Sequence, residues 1–295
     1  AKISDYTSGG YTIIKEDEGT ELLEDKVKEA VAAAVMSLAE SVDLEEQGCY
    51  VSPSITSEDE ALKTACETMN KYVGARITYQ FGDKSETLIG DEIHNWLTVN
   101  GTSVRINEGK ATEYVKKLAA SYDTAYKAKS LKTSYGKTVS ITGGSYGYKI
   151  NQAKEAATLV SLIKNGEQTS REPEYSQKGA SRTGNDYGNT YVEINLTAQH
   201  LYFYVKGKLV TQSDFVSGNA AKGWSTPAGA YSITYKQRNA TLKGQGYATP
   251  VSYWMPFNGG IGLHDANWRK TFGGTIYKTN GSHGCVNLPP AVAKT

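Results

Sequence analysis

Between Asn165 and Asn189 the sequence NGEQTSREPEYSQKGASRTGNDYGN holds few apolar side chains and many turn formers, and it reads as a linker or a long surface loop. It divides a chain of 295 residues, too long for one ordinary domain, into a first part, residues 1–164, and a second, residues 190–295. The first part alternates helix and strand patterns. Apolar residues recur at helical spacing over Glu21–Leu44, Ser57–Val73, Lys110–Lys127 and Asn151–Lys164, with Ser57 and Asp59 as candidate N-caps of the second helix. Arg76–Phe81 and Val104–Ile106 read as strands, and the Thr-, Tyr- and Gly-rich Ser130–Ile150 as a hairpin. The expected class is α+β.

The second part has a different texture. Tyr191–Leu196, Gln199–Val205 and Leu209–Ser217 follow one another with a turn at Gly207-Lys208, the pattern of a β-meander, and Ala230–Tyr235 predicts another strand. Lys236–Gly262 is long, Gly-rich and aromatic (Tyr247, Tyr253, Trp254, Phe257), which favours a flap over a cleft rather than an ordinary packed hairpin. Charge divides the chain at the same place. From Tyr191 to Thr295 ten basic residues face three acidic ones (Glu193, Asp214, Asp265), a formal +7 that leaves −6 for the rest. A basic second part suits an acidic substrate or surface, or simply a solvated basic face. The whole-chain net charge of +1 gives no reason to expect nucleic acid, and no apolar run approaches the roughly 20 residues of a membrane span. The opening AKISDYTSGG is not a signal peptide, so in an exported protein the targeting segment lies outside these residues.

The three cysteines divide into a pair and a single. In an exported protein, Cys49 and Cys66 are expected to form a disulfide, worth roughly 3 kcal/mol by loop closure; the alternative is two buried thiols. Cys285 stands alone in Gly281-Ser282-His283-Gly284-Cys285-Val286-Asn287, with His264 and His283 upstream. A thiol needs a nearby base to become a nucleophile, and His can take a proton near neutral pH and return it to a leaving group. Gly284 leaves room for backbone N–H groups to approach an oxyanion. Acyl transfer is one reading. A buried structural thiol is a second, and a zinc site of His264, Asp265, His283 and Cys285 a third. His94 and His200 have no such neighbours in sequence and read as structural.

The segment His264-Asp265, then after a spacer Ser282-His283-Gly284-Cys285-Val286-Asn287, resembles the signature of the L,D-transpeptidases, the YkuD-type cell-wall cross-linking enzymes. Ser225-Thr226-Pro227-Ala228-Gly229 resembles that family's TPxG turn, and similarity extends through Tyr191–Gly218 and through Trp268-Arg269 to Phe272-Gly273-Gly274. The first part, with Gly48-Cys49-Tyr50, resembles the peptidoglycan-binding domain that precedes the catalytic domain in many Gram-positive members. The resemblance implies a β-sandwich catalytic domain that needs no cofactor. It implies a donor tetrapeptide stem of peptidoglycan, with Cys285 attacking the third residue's carbonyl and expelling D-Ala. An amine of a second stem then makes a 3→3 cross-link; with water instead, the enzyme is an L,D-carboxypeptidase.

By the same resemblance His264 is the base, oriented at the Asp265 position by a backbone carbonyl or the carboxylate, and the N–H groups of His283, Gly284 and Cys285 form the oxyanion hole. Ser282, Asn287, Trp268, Tyr253 and Trp254 line the donor site, and Arg269 meets stem carboxylates. Carbapenem β-lactams are the expected covalent inhibitors, and the expected place is the cell wall, with a membrane anchor in the full-length protein. Family members continue further beyond the cysteine than this chain does, so a catalytic domain truncated at its C-terminus, or closed differently, is expected. A wall-binding protein with an inactive catalytic domain is the alternative of another class.

Overall fold

The computed structural model describes residues 1–244 and 246–295, the Tyr247 side chain excepted. Two compact units draw on discontinuous stretches of chain: Ala1–Gln80, Ser85–Lys116 and Gln152–Glu172 in one; Phe81–Lys84, Lys117–Asn151 and Pro173–Thr295 in the other.

In the first unit, the Asp59 carboxylate accepts the Leu62 N–H at 3.0 Å and starts the helix Glu60–Val73. Helical spacing puts Leu62, Ala65, Cys66 and Met69 on its buried face, where Cys66 and Met69 pack with Tyr11. The helix Gln152–Asn165 buries Leu159 and Ile163 together with Glu155. That carboxylate is tolerated because the Tyr79 hydroxyl donates to it at 2.6 Å and Arg171 at 2.5 Å.

Three expectations are corrected here. The helix expected over Glu21–Leu44 forms only over Glu24–Met36 and buries none of its residues. The segment 165–189 is not unstructured linker: Gln168–Arg171 pairs in parallel with the strand Arg76–Phe81, and Tyr175–Gln177 pairs with Lys149–Ile150. Cys49 and Cys66 are both free and buried. The Cys66 sulfur lies 3.6 Å from the Tyr11 carbonyl, and the Cys49 sulfur 3.9 Å from that of Gln47. Each thiol is thus held by its own surroundings.

In the second unit, Tyr191–Asn195 (β1), His200–Val205 (β2) and Lys208–Asp214 (β3) form an antiparallel meander. Gln237–Gly244 (β4), Tyr247–Asn258 (β5), Ile261–Asp265 (β6) and Val286–Leu288 (β7) form a second sheet in that order. The two sheets share one core: Leu201 from the first and Phe215 just beyond it meet Leu263, Val286 and Leu288 from the second. The class is α+β followed by a mostly-β sandwich. The expected flap, Lys236–Gly262, contains the hairpin β4–β5, paired from Gln237 to Gly244, with Gln245 outside the described residues, and its Ala240 and Val251 pack with Cys285. Ala230–Tyr235 forms no strand; Ala230 makes an isolated bridge to Gly144, and Thr234 N–H donates to the Pro256 carbonyl.

The hairpin Lys129–Lys132/Thr138–Ile141, which the sequence assigned to the first part, packs in the second unit. The reason is polar. Glu193 on β1 is 5% exposed, and its carboxylate is satisfied by the Ser134 N–H and hydroxyl, the latter at 2.6 Å.

Alkylation of the denatured, unreduced protein should label all three cysteines, since all three are free. Mass spectrometry showing a label on Cys285 alone would establish the bridge instead.

Candidate active site

The strand β7 runs parallel to β6, with His264 opposite Asn287. Parallel neighbours cannot be joined by a tight turn. Residues 266–285 make the long connection, and its last stretch, Gly281–Cys285, returns the thiol to the strand that carries the imidazole.

That stretch is fastened along Ser217–Asn219. Ser282 N–H donates to the Ser217 carbonyl at 2.9 Å, and Asn219 N–H donates to the Ser282 carbonyl at 2.9 Å. The Ser282 hydroxyl donates to the Cys285 carbonyl at 2.5 Å and accepts the Gly284 N–H at 3.1 Å. The buried Thr226 hydroxyl donates to the Gly284 carbonyl at 2.7 Å and accepts the Gly218 N–H at 3.0 Å. Gly284 has φ +119°, and a Cβ there would lie 3.1 Å from Ile261 Cδ1. Gly218 is closed to any side chain, since a Cβ would fall 1.8 Å from the Trp224 carbonyl oxygen.

His264 is 4% exposed. Its Nδ1 lies 2.8 Å from the Asp265 carbonyl, and its Nε2 lies 3.0 Å from Asn287 Nδ2. Arg269 settles which way these bonds run. Arg269 Nε donates to Asn287 Oδ1 at 3.0 Å, and a guanidinium can only donate. The amide oxygen therefore faces Arg269 and the NH₂ faces His264. Nε2 must accept, the ring proton sits on Nδ1, and the imidazole is neutral. Burial lowers the proton affinity of His264; the Asp265 carbonyl and carboxylate oppose this, and the Arg269 charge adds to it. The Asp265 carboxylate is turned away and accepts the Tyr253 N–H at 2.7 Å.

Cys285 is half-buried, packed against the Ala240, Val251 and Trp254 cluster, with its S–H directed at the Gly260 carbonyl 3.7 Å away. Burial pushes the thiol above its usual range, and a backbone hydrogen bond from Gly262 opposes the shift. Its own N–H has no hydrogen-bond partner among the described residues. Trp254 and Trp268 each place their rings 6.0 Å from the His264 ring, Trp254 buried and Trp268 at 48% exposure.

The other expected residues divide between the site's scaffold and its surroundings. His283 is exposed and stacks on Trp224 at 4.2 Å. Tyr253 precedes Trp254 on one strand, so the two side chains leave opposite faces; Tyr253 packs on the shared core, and only Trp254 is at the thiol. Ser282, Asn287 and Arg269 make their hydrogen bonds to the protein itself. The four residues of the zinc reading are dispersed, and among the described residues no group of three or more His, Cys, Asp or Glu could hold a metal ion. His200 is paired to Asp214 at 2.6 Å, and His94 stacks on Tyr6.

Sequence reasoning passed over Trp224 and Lys222, whose ammonium sits 4.8 Å above the indole. The signal available was their place just before the Ser225–Gly229 turn.

Two family models match. Residues 189–295 match the YkuD L,D-transpeptidase catalytic domain, and residues 55–171 match a model described as "Putative peptidoglycan binding domain". Among solved structures, a cysteine-to-serine mutant of the Enterococcus faecium L,D-transpeptidase is 32% identical, with a TM-score of 0.63, covering 80% of this chain and 94% of that one. The Ldtfm–avibactam carbamoyl enzyme is 33% identical, with a TM-score of 0.64, covering 79% of this chain and 92% of that one. No curated protein matches the chain.

Replacing Thr226 with Val keeps the shape but strands the Gly218 N–H and the Gly284 carbonyl, both buried. Thr226→Val should destabilise the fold by about 1–3 kcal/mol per stranded group, read by denaturant unfolding.

Proposed function

The chain belongs to the L,D-transpeptidase family, and on that premise we propose that Cys285 is the nucleophile and His264 the base of a peptidoglycan 3→3 cross-linking reaction. The protein is an enzyme of this type, and its two domains imply work outside the cytoplasm, at the cell wall. No described helix is long and apolar enough to cross a membrane.

The observation that carries the reading is the tautomer of His264. A neutral ring with its proton on Nδ1 and a lone pair on Nε2 is the form that can accept a thiol proton. His283 is instead exposed and stacked on Trp224, whereas His264 is buried.

The thiol passes its proton to Nε2 as sulfur attacks the carbonyl carbon of the third stem residue. The tetrahedral oxyanion forms beside the Cys285 N–H, with the His283 and Gly284 N–H groups as the further donors. Gly284 N–H is held by Ser282 Oγ in the free protein and would have to turn from it. On collapse the C–N bond to D-Ala breaks, and His264 returns the proton to the departing amine. The amine of a second stem then attacks the thioester, gives its proton to His264, and releases the thiolate, which regains it.

Burial favours the uncharged form of both Cys285 and His264. In the proposed mechanism the pair therefore starts neutral and proton transfer accompanies attack.

Iodoacetamide alkylation of Cys285 in the free enzyme should therefore be slow at neutral pH and still be rising above the usual thiol range. Fast alkylation already at mildly acidic pH would reveal a preformed ion pair and overturn the neutral-pair mechanism.

After incubation with a carbapenem, the intact mass should show one adduct, absent from Cys285→Ala and slowed roughly a hundredfold or more in His264→Ala. His283→Ala should still acylate. Full activity in His264→Ala would remove its assignment as base. With two tetrapeptide stems, a joined product marks the transferase, whereas a free tripeptide alone would mark a hydrolase.

A further inference from the structure

Resting on the Cys285–His264 reading, we infer that Arg269 is a positioning residue: through Asn287 it keeps Nε2 of His264 free of a proton and so keeps the base neutral. The inference follows from donors and acceptors along one line. Arg269 Nε gives its hydrogen to Asn287 Oδ1 at 3.0 Å, Asn287 Nδ2 gives one to His264 Nε2 at 3.0 Å, and His264 Nδ1 gives one to the Asp265 carbonyl at 2.8 Å. Every bond points the same way, and both ends are fixed: the Asp265 carbonyl can only accept, which holds a proton on Nδ1, and the Arg269 guanidinium can only donate, which turns the Asn287 NH₂ toward Nε2. Remove the guanidinium, and the Asn287 amide is free to turn its oxygen toward His264. That oxygen accepts an Nε2–H, and with Nδ1 still donating to the Asp265 carbonyl this favours the doubly protonated ring.

The line is buried where it acts: Asn287 is 2% and His264 4% exposed, and water has little access to replace a missing donor. Asn287 is also fixed in its backbone, paired with β6 and bridged to Val216 through N–H and carbonyl at 2.9 and 3.0 Å. Its side chain can rotate, but its main chain cannot withdraw. The charged groups acting on His264 are Asp265 on its own strand and Arg269 in the segment that follows. The neighbouring strand β5 presents Trp254, which carries no charge, and β7 presents Asn287 with the Cys285 thiol just before it.

The arrangement has a consequence for the order of events. Nε2 has one lone pair, and Asn287 occupies it in the free protein. The Asn287 N–H must be exchanged for the Cys285 S–H before the proton moves. Arg269 keeps the amide from flipping while that exchange takes place.

The experiment compares Arg269→Met and Arg269→Lys with the parent protein. The pH profile of carbapenem acylation is followed by intact mass, and the His264 imidazole by two-bond ¹H–¹⁵N correlation in the free protein. In Arg269→Met the acid limb should move up by about one pH unit, so acylation falls ~10-fold on that limb and converges with the parent at higher pH. His264 should lose its single Nδ1–H signature. Arg269→Lys keeps a charge and a donor, so it should show the same change to a smaller extent; it carries the test if Arg269→Met does not fold. A uniform loss at every pH, or an unchanged imidazole spectrum, overturns the inference. Acylation persisting in Cys285→Ala would instead overturn the nucleophile assignment, which the imidazole spectrum does not depend on.

Discussion

The parallel pairing of β6 with β7 is the constraint on which the site depends. It aligns Leu263 with Val286, His264 with Asn287 and Asp265 with Leu288. Because side chains alternate along a strand, this register separates His264 and Asn287 from the apolar residues, with Asp265 on the apolar side satisfied by the Tyr253 N–H. Leu263, Val286 and Leu288 enter the core shared with Leu201 and Phe215, each worth about 1.5–3 kcal/mol of burial. His264 and Asn287 are left together on the other face. A slip of one residue would put the imidazole into the apolar core, so the hydrophobic side of the strand pair enforces the polar side.

Rigidity of the thiol loop comes from a second device. Gly218 and Thr226, eight positions apart, and Gly284, 58 positions beyond Thr226, are joined by one hydroxyl that both donates and accepts. The close approach of Gly218 to the Trp224 carbonyl permits this, and the positive φ of Gly284 turns the chain into β7. Positioning of the sulfur is therefore settled when the protein folds, before a peptide arrives, which is where orientation contributes most to an acyl transfer.

Much of this was legible in the sequence for a definite reason. Reaction chemistry admits few substitutes, so Cys285 and His264 with their flanking glycine and serine mark themselves. Local rules also placed the Asp59 cap and the strand Arg76–Phe81. What could not be read depends on register or on distance through space. Tyr253 and Trp254 look equivalent in sequence, yet one faces the core and the other the thiol. Cys49 and Cys66 have a spacing that suits a bridge, but each is held in separate surroundings. Gln168–Arg171 has no apolar signature because its pairing is carried by backbone hydrogen bonds to a strand nearly a hundred positions earlier. Asn287 and Arg269 carry polar side chains that suit a ligand, and only the direction of their hydrogen bonds shows that they serve His264.

The fate of Arg269 bears on the charge asymmetry. The +7 of residues 191–295 suggested basic side chains meeting stem carboxylates inside the site. The arginine nearest the chemistry is committed to Asn287, while Lys222, Lys270 and Lys278 are exposed. An exposed lysine acts through water, over a screening length of roughly 8–10 Å, and so guides a charged peptide rather than grips it. Lys222 lies over Trp224, which stacks on His283 two residues before Cys285. In the proposed mechanism, attraction of an acidic substrate is thereby separated from the centre, where an added anion would raise the proton affinity of His264 and spoil the neutral base.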